Sequence, residues 1–280
     1  MKKFLLTLTT LAAVLSMTAR NQADTLAIAS RYLASPLKVT VVQPEQALKD
    51  GNTRRFPTVY LLNGYSGDYT TWPKLQNLDS LATHYGMIFV CPDGRDSWYW
   101  DSPLNNKMKM ESFIVKTLVP YIDSHYPTID DPSKRAITGL SMGGHGALYL
   151  AIRNSDIFGN AGSTSGGVDI TKFPDKWKMD RTLGKYAQNR ETWNRHSVTN
   201  IARQLKPGQL NIIFDCGESD FFKPVNDNLH RQLLEDGIKH DYISRPGRHS
   251  QPYWSNAILY QLMFFDRNFN NRTRVTAAEK

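Results

Sequence analysis

Gly139-Leu140-Ser141-Met142-Gly143 has the G-x-S-x-G spacing that lets a serine hydroxyl serve as a nucleophile. Arg135-Ala136-Ile137-Thr138 before it reads as a short strand, and Gly144-His145-Gly146-Ala147-Leu148-Tyr149-Leu150-Ala151 after it reads as a helix. A serine on so tight a strand-to-helix turn sits in strained backbone, so its flanking positions must be small. The turn pushes the hydroxyl clear of the sheet, and the helix N-terminus beneath it favours the negative charge of an attacked carbonyl. The chemistry this predicts is acyl transfer through Ser141, against the plainer reading of a glycine-rich turn.

Such a serine needs a base, and the base an orienting acid. On an elbow of this kind they follow in chain order, acid before histidine. Five histidines lie downstream: His145, His196, His230, His240 and His249. His145 is on the elbow's own helix, one turn on, and does not reach back. His196 and His230 fall in polar helical stretches and read as solvated. His240 precedes the strand Tyr242-Ile243-Ser244, the wrong end for chemistry. His249 follows that strand, and sites on open α/β sheets gather at the carboxyl ends of strands. The acid should follow the preceding strand, Leu210-Asn211-Ile212-Ile213-Phe214. Asp220, in the loop beyond, is better placed to reach a neighbouring loop than Asp215 at the strand end, with Glu218 trailing as a solvated residue. Each also has the ordinary reading of a turn or helix-capping carboxylate.

The oxyanion needs donors as well. The strand Thr58-Val59-Tyr60-Leu61-Leu62 runs into Asn63-Gly64-Tyr65-Ser66-Gly67, where glycine lets the backbone turn its N–H groups inward. The expected donors are the N–H groups of Tyr65 and of Met142, the residue after the nucleophile.

With these residues in view, the chain resembles the esterase branch of the α/β-hydrolases that includes feruloyl and acetyl-xylan esterases, S-formylglutathione hydrolases and the antigen 85 mycolyltransferases. The resemblance rests on Tyr60-Leu61-Leu62-Asn63-Gly64-Tyr65, on Pro92-Asp93-Gly94 with Trp98-Tyr99, and on Gly139 to Tyr149. Gly162-Ser163-Thr164-Ser165-Gly166-Gly167, Asp215-Cys216-Gly217, Asp220-Phe221 and Pro246-Gly247 with His249 complete it. It implies an α/β-hydrolase fold and a Ser141, Asp220, His249 triad. Asn63 stands where many members carry histidine, a departure that bears on loop packing more than on chemistry, since the oxyanion donors are backbone groups.

Met1-Lys2-Lys3 and the uncharged run from Phe4 to Ala19 read as an export leader, residues 1–23, cleaved after Ala23 or Ala19. The expected compartment is the periplasm or medium of a bacterium, and residues 24–280 are expected to form one domain. The run is short and Thr-rich for a membrane span. The net charge of +8 falls by three if Lys2, Lys3 and Arg20 leave with the leader. No lysine-arginine block points to nucleic acid. Lys172, Lys176, Lys178, Arg181 and Lys185, interleaved with Phe173 and Trp177, read as a solvated face, the alternative being a patch for an acidic substrate. Cys91 and Cys216 end two strands that are not neighbours in the family's sheet, so two buried free thiols are expected. No metal-ligand spacing and no phosphate loop is present, so neither metal nor cofactor is expected.

Leu37, Val39 and Val41 alternate with polar residues as in a half-buried strand, whereas Thr58–Leu62, Met87–Val90 and Ile212–Phe214 are continuous apolar runs of strands covered on both faces. Helical stripes run from Met110 to Ile122 and from Trp254 to Phe265. The pattern predicts a mostly parallel sheet with helices on both faces. Val168 to Pro207 breaks it as a polar insertion over the site, in which Trp177 and Trp193 are local core or part of the pocket. Trp98, Tyr99 and Trp100 follow a strand's carboxyl end and either wall the pocket or pack their loop. The tail from Asn270 to Lys280 reads as frayed.

The leading expectation is therefore a secreted serine carboxylesterase acting on a small or polysaccharide-linked ester, feruloyl or acetyl. An acyltransferase using a sugar or lipid hydroxyl, a thioesterase of the S-formylglutathione type and a non-catalytic binding protein are the alternatives. The leader argues against the cytosolic thioester, and the full set of serine, acid and base candidates against the binding protein.

Overall fold

The computed structural model describes residues 22–270. Eight strands form one sheet: β1 (Ala23–Ile28), β2 (Leu37–Val42), β3 (Thr58–Leu62), β4 (Ile88–Pro92), β5 (Arg135–Gly139), β6 (Asn160–Thr164), β7 (Asn211–Gly217) and β8 (Asp241–Arg245). Their spatial order is β1-β2-β4-β3-β5-β6-β7-β8. The pairs β1–β2 and β2–β4 are antiparallel, and every pair from β4 to β8 is parallel.

Burial explains the uniform apolar runs. Every residue of β3, β4, β5 and β6 is buried, because helices cover both faces. Along β3, Val59 and Leu61 pack with Leu78, Ala82, Ile258 and Leu262 on one side, and Tyr60 and Leu62 with Phe113, Ile137, Leu148 and Phe158 on the other. Burying one such side chain is worth about 1.5–3 kcal/mol, so the two layers hold the strand ends, and the loops leaving them, in fixed positions.

The helix expected from Met110 is not uniform. Met110–Phe113 and Val119–His125 are α-helical, and Ile114–Leu118 between them is a π turn in which the Val119 N–H reaches the Ile114 carbonyl. Pro120 has no N–H to continue the ladder, and the widened turn precedes it. The edge strand β1 was not anticipated. It alternates exposed and partly covered residues and begins at Ala23, inside the segment read as leader. The rest of that leader, including the cleavage point after Ala19, and the tail beyond Asn270 lie outside the described residues. Cys91 in β4 and Cys216 in β7 are separated by three strands and are free and buried, as expected. Among the described residues no helix is long and apolar enough to cross a membrane.

Between β6 and β7 the expected insertion is a run of short helical pieces, among them Asp180–Leu183, Arg190–His196 and Val198–Ile201. Trp193 is its buried centre, with its Nε1–H donating to the Gly184 carbonyl at 2.8 Å.

Candidate active site

Ser141 sits between β5 and the helix Met142–Arg153 with φ 56° and ψ −116°, a conformation an L-residue adopts only when its surroundings impose it. The two elbow glycines supply those surroundings. A Cβ on Gly143 would lie 2.3 Å from the Leu62 carbonyl oxygen, and one on Gly139 2.6 Å from the Gly143 backbone. Only bare backbone lets the helix press this closely onto β3. The Ser141 N–H donates to the Thr164 carbonyl at 3.0 Å, which ties the turn to β6.

His249, in the loop after β8, brings Nε2 to 2.9 Å from Ser141 Oγ. Its Nδ1 faces Asp220, 2.9 Å from Oδ2 and 3.1 Å from Oδ1. Asp220 Oδ1 also accepts from the Phe222 N–H at 2.8 Å, and the carboxylate is shut off from water. The hydrogen bond to Asp220 fixes the tautomer, leaving Nε2 as the acceptor for the serine proton. Phe221, Phe222 and Trp254 surround the imidazole at ring-centroid distances of 4.3, 5.4 and 4.9 Å.

The N–H groups of Tyr65 and Met142 donate to no protein acceptor among the described residues. Both belong to elements that meet at Ser141. The loop carrying Tyr65 is pinned by Asn63, whose Oδ1 accepts from the Gly94 N–H at 2.7 Å and the Tyr99 hydroxyl at 3.0 Å. Its Nδ2 donates to the Gly64 carbonyl at 2.9 Å. The unusual asparagine is thus a packing residue joining the loops after β3 and β4.

Asp215 lies elsewhere. It is buried on β7, accepting from the Thr164 hydroxyl at 2.6 Å and from Gln261 Nε2 at 2.7 Å. Burial pushes its pKa up to about 6, partly offset by those hydrogen bonds. Glu218 is exposed. His145 is fully buried, accepting from Trp100 Nε1 at 2.9 Å and donating through Nδ1 to the Gly167 carbonyl at 2.9 Å, and burial lowers its pKa to about 3. His196 and His230 are half-buried rather than solvated. His196 bonds the Thr192 carbonyl at 2.7 Å, and His230 bonds His240 at 2.8 Å, the latter at the far end of β8 from His249.

Of the two readings of Trp98 and Tyr99, pocket wall or loop packing, the structure gives packing, and neither residue lines the site. Their relative exposures are 1% and 0%. Trp98 packs against Trp100 and His145, and a Cβ on Gly146 would lie 2.3 Å from the Tyr99 ring. Tyr99 supports the helix after Ser141, which is cut back to glycine at Gly146 to receive it, and Trp98 packs against Gly167. Trp177 does line the cleft, which holds about 570 Å³ around Ser141 and His249. Sequence reasoning gave no pocket role to Asp68, Thr70, Thr71, Lys74, Leu75, Phe221, Gln251 or Trp254, which also line it. Hydrogen bonds from Thr70 keep the Asp68 carboxyl below its usual range, in spite of partial burial. Among the described residues no three His, Cys, Asp or Glu side chains converge as a metal site.

A family model described as "Putative esterase" matches residues 30–265. The chain belongs to this esterase family. An acetyl esterase of Caldicellulosiruptor saccharolyticus is 26% identical over 222 residues, covering 75% of this chain and 83% of that protein. Among solved structures, a ferulic acid esterase overlays with a TM-score of 0.75 at 25% identity, covering 88% of this chain and 97% of that one. A fluorophosphonate-binding serine hydrolase of Staphylococcus aureus overlays at 0.77 with 20% identity, covering 87% and 98%, which shows the common fold. The sheet of this esterase is that of the α/β-hydrolases, and its reaction is serine-hydrolase chemistry on carboxylic esters.

Proposed function

We propose that this esterase is exported and hydrolyses feruloyl or acetyl esters of plant polysaccharide through an acyl-enzyme on Ser141. The observation that carries the acyl-enzyme step is the continuous chain from Asp220 through His249 to Ser141 Oγ, at 2.9 Å on each side of the imidazole. His249 Nε2 takes the proton as Ser141 Oγ attacks the ester carbonyl, and Asp220 steadies the imidazolium that results. The oxyanion is held by the N–H groups of Tyr65 and Met142, which donate to no other group among the described residues. His249 then gives its proton to the departing alcohol, and a water activated by the same nitrogen releases the acid.

The substrate reading is supported by a cleft with aromatic faces at Trp177, Phe221 and Trp254 beside hydroxyl, amide and carboxylate groups. The acetyl and ferulic acid esterases among its relatives agree with it. Export is supported by Lys2-Lys3 and the uncharged run from Phe4 to Ala19. Of the two cleavage points, Ala19 fits better. Cutting after Ala23 removes Gln22, whose Nε2 donates to Thr83 Oγ1 at 3.0 Å, together with the first residue of β1.

A panel of acetyl, butyryl and feruloyl esters, free and xylan-linked, tests the substrate reading through kcat/KM, with added alcohol acceptors to separate hydrolysis from acyl transfer. The expected result is highest kcat/KM on a xylan-linked acetyl or feruloyl ester and free acid as the product. A preference for free butyryl esters, or an acylated acceptor as main product, contradicts it.

A further inference from the structure

The segment that carries Trp177 into the cleft wall holds more positive charge than cleavage of an ester requires. Lys172, Lys176, Lys178, Arg181, Lys185 and Arg190 face only two acids, Asp175 and Asp180, in their stretch of chain. All six basic residues are exposed, and none forms a salt bridge among the described residues. Basic side chains left unpaired in water are free to take an external partner.

Trp177, between Lys176 and Lys178, lines the same cleft as Ser141 and His249. Its ring is packed 5.6 Å from Trp98, 5.6 Å from Phe173 and 5.4 Å from Phe222. Trp177 and Lys178 are consecutive non-glycine residues at φ 50° and 52°. Residues with a Cβ disfavour this left-handed backbone, so aromatic packing holds the turn against local preference. The result puts Trp177 in the cleft wall with exposed lysines on either side of it. Lys74 lines the cleft too, and Arg248, next to His249, is exposed. Arg181 is within electrostatic reach of the oxyanion loop: the Tyr65 phenol, raised by burial and by Asp96, is drawn partly back by this guanidinium.

We propose that the esterase takes its ester on an acidic glycan, a sugar chain bearing carboxylate groups, whose charges beyond the acylated residue are held by the basic segment around Trp177. This rests on the esterase reading above and adds to it the charge of the polymer. The lining argues for a sugar rather than a lipid headgroup. Ser66, Asp68, Thr70, Thr71 and Gln251 present hydrogen-bonding groups beside aromatic faces, where an acyl-lipid site would be apolar throughout. A single exposed lysine contributes little, but a row of them along a polyanion acts in sum and is screened by salt, with a Debye length of about 10 Å at 0.1 M.

The test uses acetylated xylans matched in acetyl content, one bearing uronate side groups and one without. For the wild-type protein the KM on the uronate-bearing polymer should be about tenfold lower in dilute buffer, kcat should be alike on the two, and the gap should close as salt is raised past about 0.3 M. Lys172→Glu combined with Lys176→Glu, away from the strained turn, should bring the ratio of the two KM values to about one or invert it. Equal KM values for the two polymers in dilute buffer overturn the proposal, and so does a preference that the double variant keeps. The wild-type salt profile stands independently of how the variant folds. Hydrolysis of p-nitrophenyl acetate in the same preparation separates the two readings. A folded but inactive preparation overturns the esterase reading and this proposal with it, whereas an active one without charge preference overturns this proposal alone.

Discussion

Both carboxylate oxygens of Asp220 lie within 3.1 Å of His249 Nδ1, while Asp215, five residues earlier, faces Thr164 and Gln261 in the interior. Two aspartates of one chain segment thereby meet different partners. Asp220→Asn keeps a hydrogen bond to the imidazole but cannot stabilise the imidazolium and permits the wrong tautomer. Its kcat should fall by roughly 10⁴-fold with the melting temperature little changed. Asp215→Asn should keep kcat within about tenfold, since it touches no part of the relay. An inactive, well-folded Asp215→Asn beside an active Asp220→Asn would reverse the assignment.

Asp215 also predicts a pH dependence of stability. Its folded pKa is about 6 against an ordinary 3.8. A carboxyl group with a raised folded pKa binds more protons folded than unfolded between those values. Its contribution is therefore full below pH 4 and is lost as the pH rises through 6. Asp215→Asn mimics the protonated group at every pH. Measured by denaturant unfolding, its stability relative to wild type should climb between pH 4 and 6.5 by on the order of 3 kcal/mol, then level off. A difference that does not vary with pH would contradict the assignment.

The histidines separate cleanly. His249→Ala should lower kcat by roughly 10⁴-fold or more, and His240→Ala, at the other end of β8, should retain it within a few-fold. His145→Ala should fail differently. It leaves the Trp100 Nε1–H and the Gly167 carbonyl unpaired in the interior, costing about 1–3 kcal/mol for each group. Thermal unfolding together with kcat on the surviving folded fraction distinguishes these outcomes.

Asn63→Ala removes the link between the loops that carry Tyr65 and Gly94. The Gly94 N–H loses its buried partner, at a cost of about 1–3 kcal/mol. The Tyr65 N–H loses its fixed position, so kcat should fall by about tenfold or more with KM less affected. An unchanged kcat would mean that the Gly64–Gly67 turn holds itself.

The meeting of Ser141, His249 and Asp220 was legible in the sequence because each is set by position along the chain. Ser141 follows β5, Asp220 follows β7 and His249 follows β8, and parallel strands deliver all three to one edge of the sheet. The cleft was not. It gathers Asp68, Lys74, Trp177, Phe221 and Gln251 from distant loops, and no spacing along the chain encodes their meeting. Trp98 and Tyr99 illustrate the same limit. Aromatic residues after a strand look alike in sequence whether they face a ligand or, as here, glycines of the interior, Gly146 for Tyr99 and Gly167 for Trp98. The edge strand β1 escaped because its first residue fell inside the leader pattern and because Asp24-Thr25-Leu26-Ala27-Ile28 does not alternate polar with apolar residues, although its burial alternates.

The most direct test of the account is Ser141→Ala, which deletes one oxygen from the relay and leaves the packing of Gly139 and Gly143 intact. Steady-state hydrolysis of p-nitrophenyl acetate should show kcat lowered by roughly 10⁴-fold or more, with circular dichroism and melting temperature close to wild type. Activity within tenfold of wild type in a folded Ser141→Ala protein would contradict it and remove the serine from the mechanism.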